Sequence, residues 1–176
     1  MTETAECLVV GAGPAGSAAA ITLAQRGLSV ILIDREDQAG RPVCGGFLGP
    51  EILTVFRLMG LESEFNALPK RPIGSVLISS PSTRPLEHPL PSGGGWAVDR
   101  SHFNQWLART AESRGVKLRY RAAPIAECRS NGFWQTSVDT SEGRLEIVSK
   151  ELIRAHGRRA PKNVSADRTY FACKTV

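Results

Sequence analysis

The sequence predicts an α/β fold built on a parallel sheet, and three observations carry that expectation. A short apolar run, Glu6 to Val10, leads through a glycine-rich turn and a helical stretch to a second apolar run that ends in an acid, Asp34. A second helical stretch, with Phe103, Trp106, Leu107 and Ala111 at helical spacing, returns at Gly115 to the alternating Val116, Leu118 and Tyr120. Between Ile125 and Ile153, three short runs are separated by Ser130-Asn131-Gly132 and Ser141-Glu142-Gly143, which read as hairpin turns. Strands alternating with helices imply parallel pairing, and three hairpin-linked strands imply a β-meander.

The first unit is the most informative. Gly11-Ala12-Gly13-Pro14-Ala15-Gly16 is an intact G-x-G-x-x-G placed directly after a strand. Gly11 permits the tight turn out of that strand, Gly13 lets the backbone approach a pyrophosphate, and Gly16 lets the helix lie close to the sheet. The helix is expected over Pro14 to Arg26, with Pro14 in its first turn, where a missing N–H is harmless, and with Gly27 as its stop. Its first turn, headed by Pro14, Ala15 and Gly16, offers unpaired amide N–H groups and the positive end of the helix dipole to a diphosphate. Ser29 to Ile33 is the second strand, and Asp34 follows Gly16 by 18 residues. A carboxylate there accepts hydrogen bonds from both ribose hydroxyls and disfavours a 2′-phosphate. These residues indicate a dinucleotide, and leave FAD and NAD both open.

Composition narrows the class. The chain has 176 residues, 41% hydrophobic and 22% charged, which suits one globular domain or one with part of a second. Its apolar runs, such as Val30 to Ile33, are far too short to span a bilayer, and Glu3 and Glu6 stand where a secretory leader needs basic residues, so a cytoplasmic protein is expected. Cys7, Cys44, Cys128 and Cys173 are scattered without a CxxC pair or a His cluster, so neither zinc nor a disulfide framework is indicated. The net charge of +5 gathers late, at Arg144, Lys150, Arg154, Arg158, Arg159 and Lys162. No aromatic interleaving accompanies it, and it reads as a solvated face, not a nucleic-acid surface.

Three blocks carry a resemblance. Gly11 to Ala20, then Asp34-Arg35 and Val43-Cys44-Gly45-Gly46-Phe47-Leu48, then Val98 to Leu107 with Gly115-Val116, are similar to the geranylgeranyl reductase family, part of the flavoprotein group that includes the aromatic hydroxylases. The resemblance implies a Rossmann-like FAD-binding fold, a parallel sheet with the β-meander as its crossover, and FAD as the cofactor. It implies that Arg35 and Arg100 contact the flavin nucleotide, that the loop bearing Cys44 and Gly45 passes near the flavin ring, and that the backbone at Ala123 and Pro124 lies by the adenine. Read from the residues alone, the alternatives are a surface cap residue for Arg100 and a small apolar filler for Cys44. Asn104 replaces the family's usual Asp, and His156 replaces the Asp of its Ala-Asp-Gly motif.

Prolines, serines and the alternating Ser75 to Ser79 between Leu61 and Gly95 suit two strands and loops, resembling the start of an inserted β-rich substrate domain. The expected division is therefore 1–60 and 96–160 for the FAD-binding domain, and 61–95 with 161–176 for part of a substrate domain. Trp96 is expected as a core or hinge aromatic. Tyr170 to Lys174 resembles a further strand of that domain. The Gly-Asp motif by which relatives hold the ribityl chain is not found in these residues.

The expected function is an FAD-dependent oxidoreductase, an NAD(P)H-driven reductase or a monooxygenase, acting on an apolar or aromatic small molecule. The alternatives are a split or non-catalytic FAD-binding fragment that a second chain completes, and an NAD-dependent dehydrogenase. No residue reads as a general base and none is named as catalytic.

Overall fold

The computed structural model describes residues 1–38, 44 and 46–157. In chain order the elements are β1 (Thr2–Val10), α1 (Pro14–Gln25), β2 (Val30–Ile33), β3 (Phe47–Leu48), α2 (Ile52–Leu58), α3 (Glu62–Ala67), β4 (Arg71–Ile73), β5 (Ser75–Ser80), β6 (Thr83–Pro89), β7 (Gly95–Ala97), α4 (Arg100–Ser113), β8 (Lys117–Arg119), β9 (Ala122–Ser130), β10 (Phe133–Thr140) and β11 (Gly143–Arg154). Among the described residues they form two compact units, 1–38 with 104–157, and 44 with 46–103. The chain passes between them within α4. The boundaries expected from sequence texture, at 60/61 and 95/96, both fall inside the second unit.

The first unit is a six-stranded sheet in the order β8-β2-β1-β11-β10-β9. β8, β2, β1 and β11 are mutually parallel, and β9, β10 and β11 form the antiparallel meander. β11 belongs to both parts. Its residues 143–149 pair with β10, whereas Glu151 to Arg154 continue beside Cys7 to Val10 of β1. One apolar cluster joins Leu8, Val10, Ile31 and Ile33 of the parallel strands to Val138, Leu145 and Ile147 of the meander, so the meander covers one face of the parallel sheet. The alternate residues Cys7, Val9, Val30 and Leu32 are buried as well, which is why these strands read as unbroken apolar runs.

β1 begins four residues before the run expected at Glu6, because Thr2 to Ala5 pair with Glu146 to Ser149, a partner remote in sequence. Glu3 is held there by Lys117 at 3.0 Å and by Arg119. Two of the late basic residues are paired, Lys150 with Glu6 and Arg154 with Glu127. Arg158, Arg159, Lys162 and the segment 161–176 lie outside the described residues.

The second unit differs from the two strands and loops expected over 61–95. It contains α2, α3 and a three-stranded antiparallel sheet in the order β3-β7-β4, with β5 and β6 as a separate hairpin. Its nucleus is aromatic: Phe56 and Phe65 stack with centroids 4.8 Å apart, and Trp96 meets Phe65 edge-on at 5.8 Å. Trp96 is thus a packing residue. Gly94, at φ +92°, lies so close to β4 that an added Cβ would overlap the Ile73 carbonyl oxygen and come within 3.0 Å of Gly74 Cα. No helix among the described residues is long and apolar enough to cross a membrane.

Candidate functional site

The glycine turn closes the C-terminal end of β1. Gly11 takes φ +107° and donates its N–H to the Ile33 carbonyl at 2.8 Å, tying the turn to the end of β2. Ala155, just past β11, donates to the Val10 carbonyl at 2.7 Å, and a Cβ built on Gly11 would stand 2.6 Å from the Ala155 carbonyl oxygen. A Cβ on Gly16 would overlap the Gly11 carbonyl oxygen and lie 3.2 Å from the Ala155 side chain. Gly13 differs from both: at φ −71° it is unstrained, and a Cβ there would meet nothing within 4 Å. The protein itself fills the space beside two glycines and leaves the third facing open space.

α1 starts at this opening, with Gly13 as its N-cap and Pro14 in its first turn. No side chain among the described residues caps it, so its first amide N–H groups, together with the dipole, remain available to an anion. The opening beside Gly13 and these amides fit a diphosphate, as the sequence motif requires.

Asp34 is fixed through four hydrogen bonds. Its N–H donates to the Arg119 carbonyl at 2.9 Å and its carbonyl accepts from Ala122 N–H at 2.9 Å. Its Oδ2 accepts from Ala12 N–H at 2.6 Å, and its Oδ1 from Glu36 N–H at 3.0 Å. The carboxylate therefore braces the glycine turn against the loop after β2, and its remaining lone pairs are what a ribose diol would use. A negative charge held at this point opposes a 2′-phosphate. Arg35 pairs with Glu36 at 3.6 Å, both side chains about half exposed. β9 begins beside this acid, which places Ala123 and Pro124 one and two residues past the Ala122 N–H that binds it.

Sequence reasoning missed Ala12, Glu36, Arg119, Ala122 and Ala155, whose hydrogen bonds here are all made by the backbone. Only the Asp34-to-Glu36 contact had a local signal, the Asx-turn geometry that an aspartate favours.

The remaining candidates lie in the second unit. Asp99 Oδ1 accepts from Ser101 N–H at 2.7 Å and His102 N–H at 3.3 Å, which makes Asp99 the cap of α4. Arg100 holds its guanidinium over the Phe103 ring at 5.3 Å, and its buried Nε has no hydrogen-bond partner among the described residues. Cys44 is a half-buried free thiol whose Sγ accepts from Gly46 N–H at 3.5 Å. Gly46 takes φ +77°, and a Cβ on it would lie 2.7 Å from the Val98 carbonyl oxygen. Gly45 lies outside the described residues, as do Arg41, Pro42 and Val43.

Burial pushes the Glu3 carboxyl up, but hydrogen bonds from Arg119 and Lys117 outweigh it and hold the group below its ordinary 4.5. Burial, with the Glu151 carboxylate adding to it, pushes the Cys7 thiol up, which disfavours the reactive thiolate. His156 is placed against the turn by its backbone, its Cα 3.0 Å from a Cβ built on Gly11.

A family model described as FAD binding domain matches residues 4–162. The chain belongs to that family. As an FAD-binding domain it is 33% identical over 162 residues to a Methanosarcina barkeri protein encoded in the nifH2 5′ region, covering 86% of this chain and 82% of that one. It is 28% identical over 158 residues to the digeranylgeranylglycerophospholipid reductase of Methanocaldococcus jannaschii, covering 89% of this chain and 39% of the reductase. Among solved structures, a geranylgeranyl bacteriochlorophyll reductase-like protein of Thermoplasma acidophilum matches with a TM-score of 0.71 and 26% identity, over 89% of this chain and 40% of that one. The domain thus spans about two fifths of the length of these reductase relatives. The likeness to geranylgeranyl reductases and the FAD-binding fold expected from the sequence both stand.

Proposed function

We propose that this domain binds the ADP portion of FAD on the glycine turn and α1, as part of an oxidoreductase that takes electrons from NAD(P)H and passes them to an apolar or aromatic small molecule in the cytoplasm. The opening at Gly13, between two glycines whose surroundings are filled by protein, is the observation that carries this reading. In it, Gly11, Gly13, Pro14, Ala15 and Gly16 receive the diphosphate. Asp34 accepts the ribose hydroxyls while bracing the turn. Arg35, Ala123 and Pro124 flank the adenosine, and Cys44, Gly45 and Arg100 serve the flavin side, where the open Nε of Arg100 is a fitting donor. FAD supplies the hydride and electron chemistry when bound, and the protein's task is to bind, orient and exclude water. Whether the reduced cofactor serves alkene reduction or oxygen activation is a property of the substrate side of the molecule.

Uptake of FAD by the purified protein tests this reading. It requires that added FAD bind and that NADH or NADPH bleach the flavin band in the absence of oxygen. Binding without bleaching would refute the NAD(P)H step, and a colourless protein that takes up no added FAD would refute the reading.

A further inference from the structure

β11 brings the chain to the glycine turn from the side opposite β2. Ala155, the residue after β11, donates its N–H to the Val10 carbonyl at 2.7 Å, and His156 Cα lies 3.0 Å from a Cβ built on Gly11. His156 therefore stands at the C-terminal end of the parallel strands, the end at which sheets of this kind take their ligands. Gly13 follows Gly11 by two residues and is about 7 Å away at most. A histidine side chain rooted at this Cα can thus meet a phosphate group held beside Gly13 and the first amides of α1.

The charges around the turn are unevenly placed. Residues 8–25, which form the end of β1, the glycine turn and α1, contain no titratable side chain. Asp34, Arg35, Glu36, Arg119 and Arg121 lie on the β2 and β8 side, where Asp34 is bonded to Ala12 N–H, Arg35 is paired with Glu36 and Arg119 with Glu3. On the β11 side, Arg154 is paired with Glu127. His156 is half-buried, and its imidazole has no hydrogen-bond or ion-pair partner among the described residues. On this side of the turn it is the described group left to bring positive charge to an anion.

On the reading that this turn holds a diphosphate, we infer that His156 contacts that diphosphate, and that the imidazolium form makes the domain hold its dinucleotide more tightly as the pH falls. A histidine gains its charge as the pH drops through about 6.5. A diphosphate esterified at both ends keeps its negative charge throughout that range. The charged hydrogen bond therefore forms on the acid side and is lost as the imidazole is deprotonated. The Asp that the family carries at this position has no cationic form, so the contact is particular to this chain.

The probe is ADP-ribose, in which both phosphates are esterified, with adenosine as the uncharged control. Calorimetric titration of the full-length chain is expected to show ADP-ribose binding roughly 10-fold tighter at about pH 5.5 than at about pH 8, and adenosine binding equally at both. That comparison needs no variant. His156→Asn, checked for folding by circular dichroism, is expected to bind ADP-ribose equally at both pH values, and His156→Lys to bind it tightly at both. Wild-type affinity for ADP-ribose that does not change with pH would overturn the inference and leave the cofactor reading in place. So would an adenosine affinity with the same pH dependence, or a His156→Asn protein that keeps it. Failure of ADP-ribose to bind at either pH would overturn both.

Discussion

Substituting alanine at Gly11 and at Gly13 separates the architectural glycine from the one that faces the ligand. At Gly11 a methyl group would stand 2.6 Å from the Ala155 carbonyl oxygen and 2.8 Å from its carbon, with the backbone held at φ +107°. Both neighbours are backbone, so the clash cannot be relieved by a rotamer change. Overpacking of about 1–3 kcal/mol and backbone strain of about the same size put the loss at roughly 2–6 kcal/mol, or roughly 4–24 °C in melting temperature. At Gly13 the methyl meets nothing within 4 Å and φ is −71°, which alanine adopts freely. A weaker N-cap and a less flexible unfolded chain nearly offset each other, leaving a change within about 1 kcal/mol. Affinity is a different matter, since that methyl occupies the space proposed for the diphosphate. A steric penalty of about 1–3 kcal/mol weakens ADP or FAD binding roughly 5- to 150-fold. Thermal unfolding of the apo protein and calorimetric titration with ADP read the two effects separately. The reasoning is refuted if Gly13→Ala unfolds as early as Gly11→Ala, or binds ADP as wild type does.

Three further outcomes follow from the same geometry. Asp34→Ala strips the partner from Ala12 N–H and Glu36 N–H and should lose about 1–3 kcal/mol in urea unfolding without any ligand, more than Asp34→Asn, which keeps an acceptor. Glu3 has its pKa lowered in the folded state, so its contribution is present above its ordinary 4.5 and is lost as pH falls through the lower, folded value. The stability gap between wild type and Glu3→Gln should therefore be constant from neutral pH to about pH 5 and close at more acid pH. Gly94→Ala, which would overlap the Ile73 carbonyl oxygen at φ +92°, should loosen the β3-β7-β4 sheet and raise protease sensitivity in the second unit.

How much of this was legible in the sequence depended on how local the determinant was. The glycine turn, Asp34 and the meander were readable because strand, turn and helix signals sit within a few residues of one another. The same chain hid the first turns of β1, since Thr2 to Ala5 are polar or small and owe their strand to residues 146–149. α2 and α3 were hidden for a similar reason. They are seven and six residues long, no side chain caps either, and each places a single buried residue, Phe56 and Phe65, in one aromatic contact. The bond by which Asp34 braces the glycine turn was invisible because its donor, the Ala12 backbone amide, carries no sequence signature.

The central claim, that this chain holds FAD by its ADP end, is tested most directly by competition. FAD should bind the purified protein, ADP should displace it, and FMN, which lacks the adenosine, should neither bind at comparable concentration nor compete. Binding of FMN as strong as that of FAD, or FAD binding that ADP leaves untouched, would contradict the account.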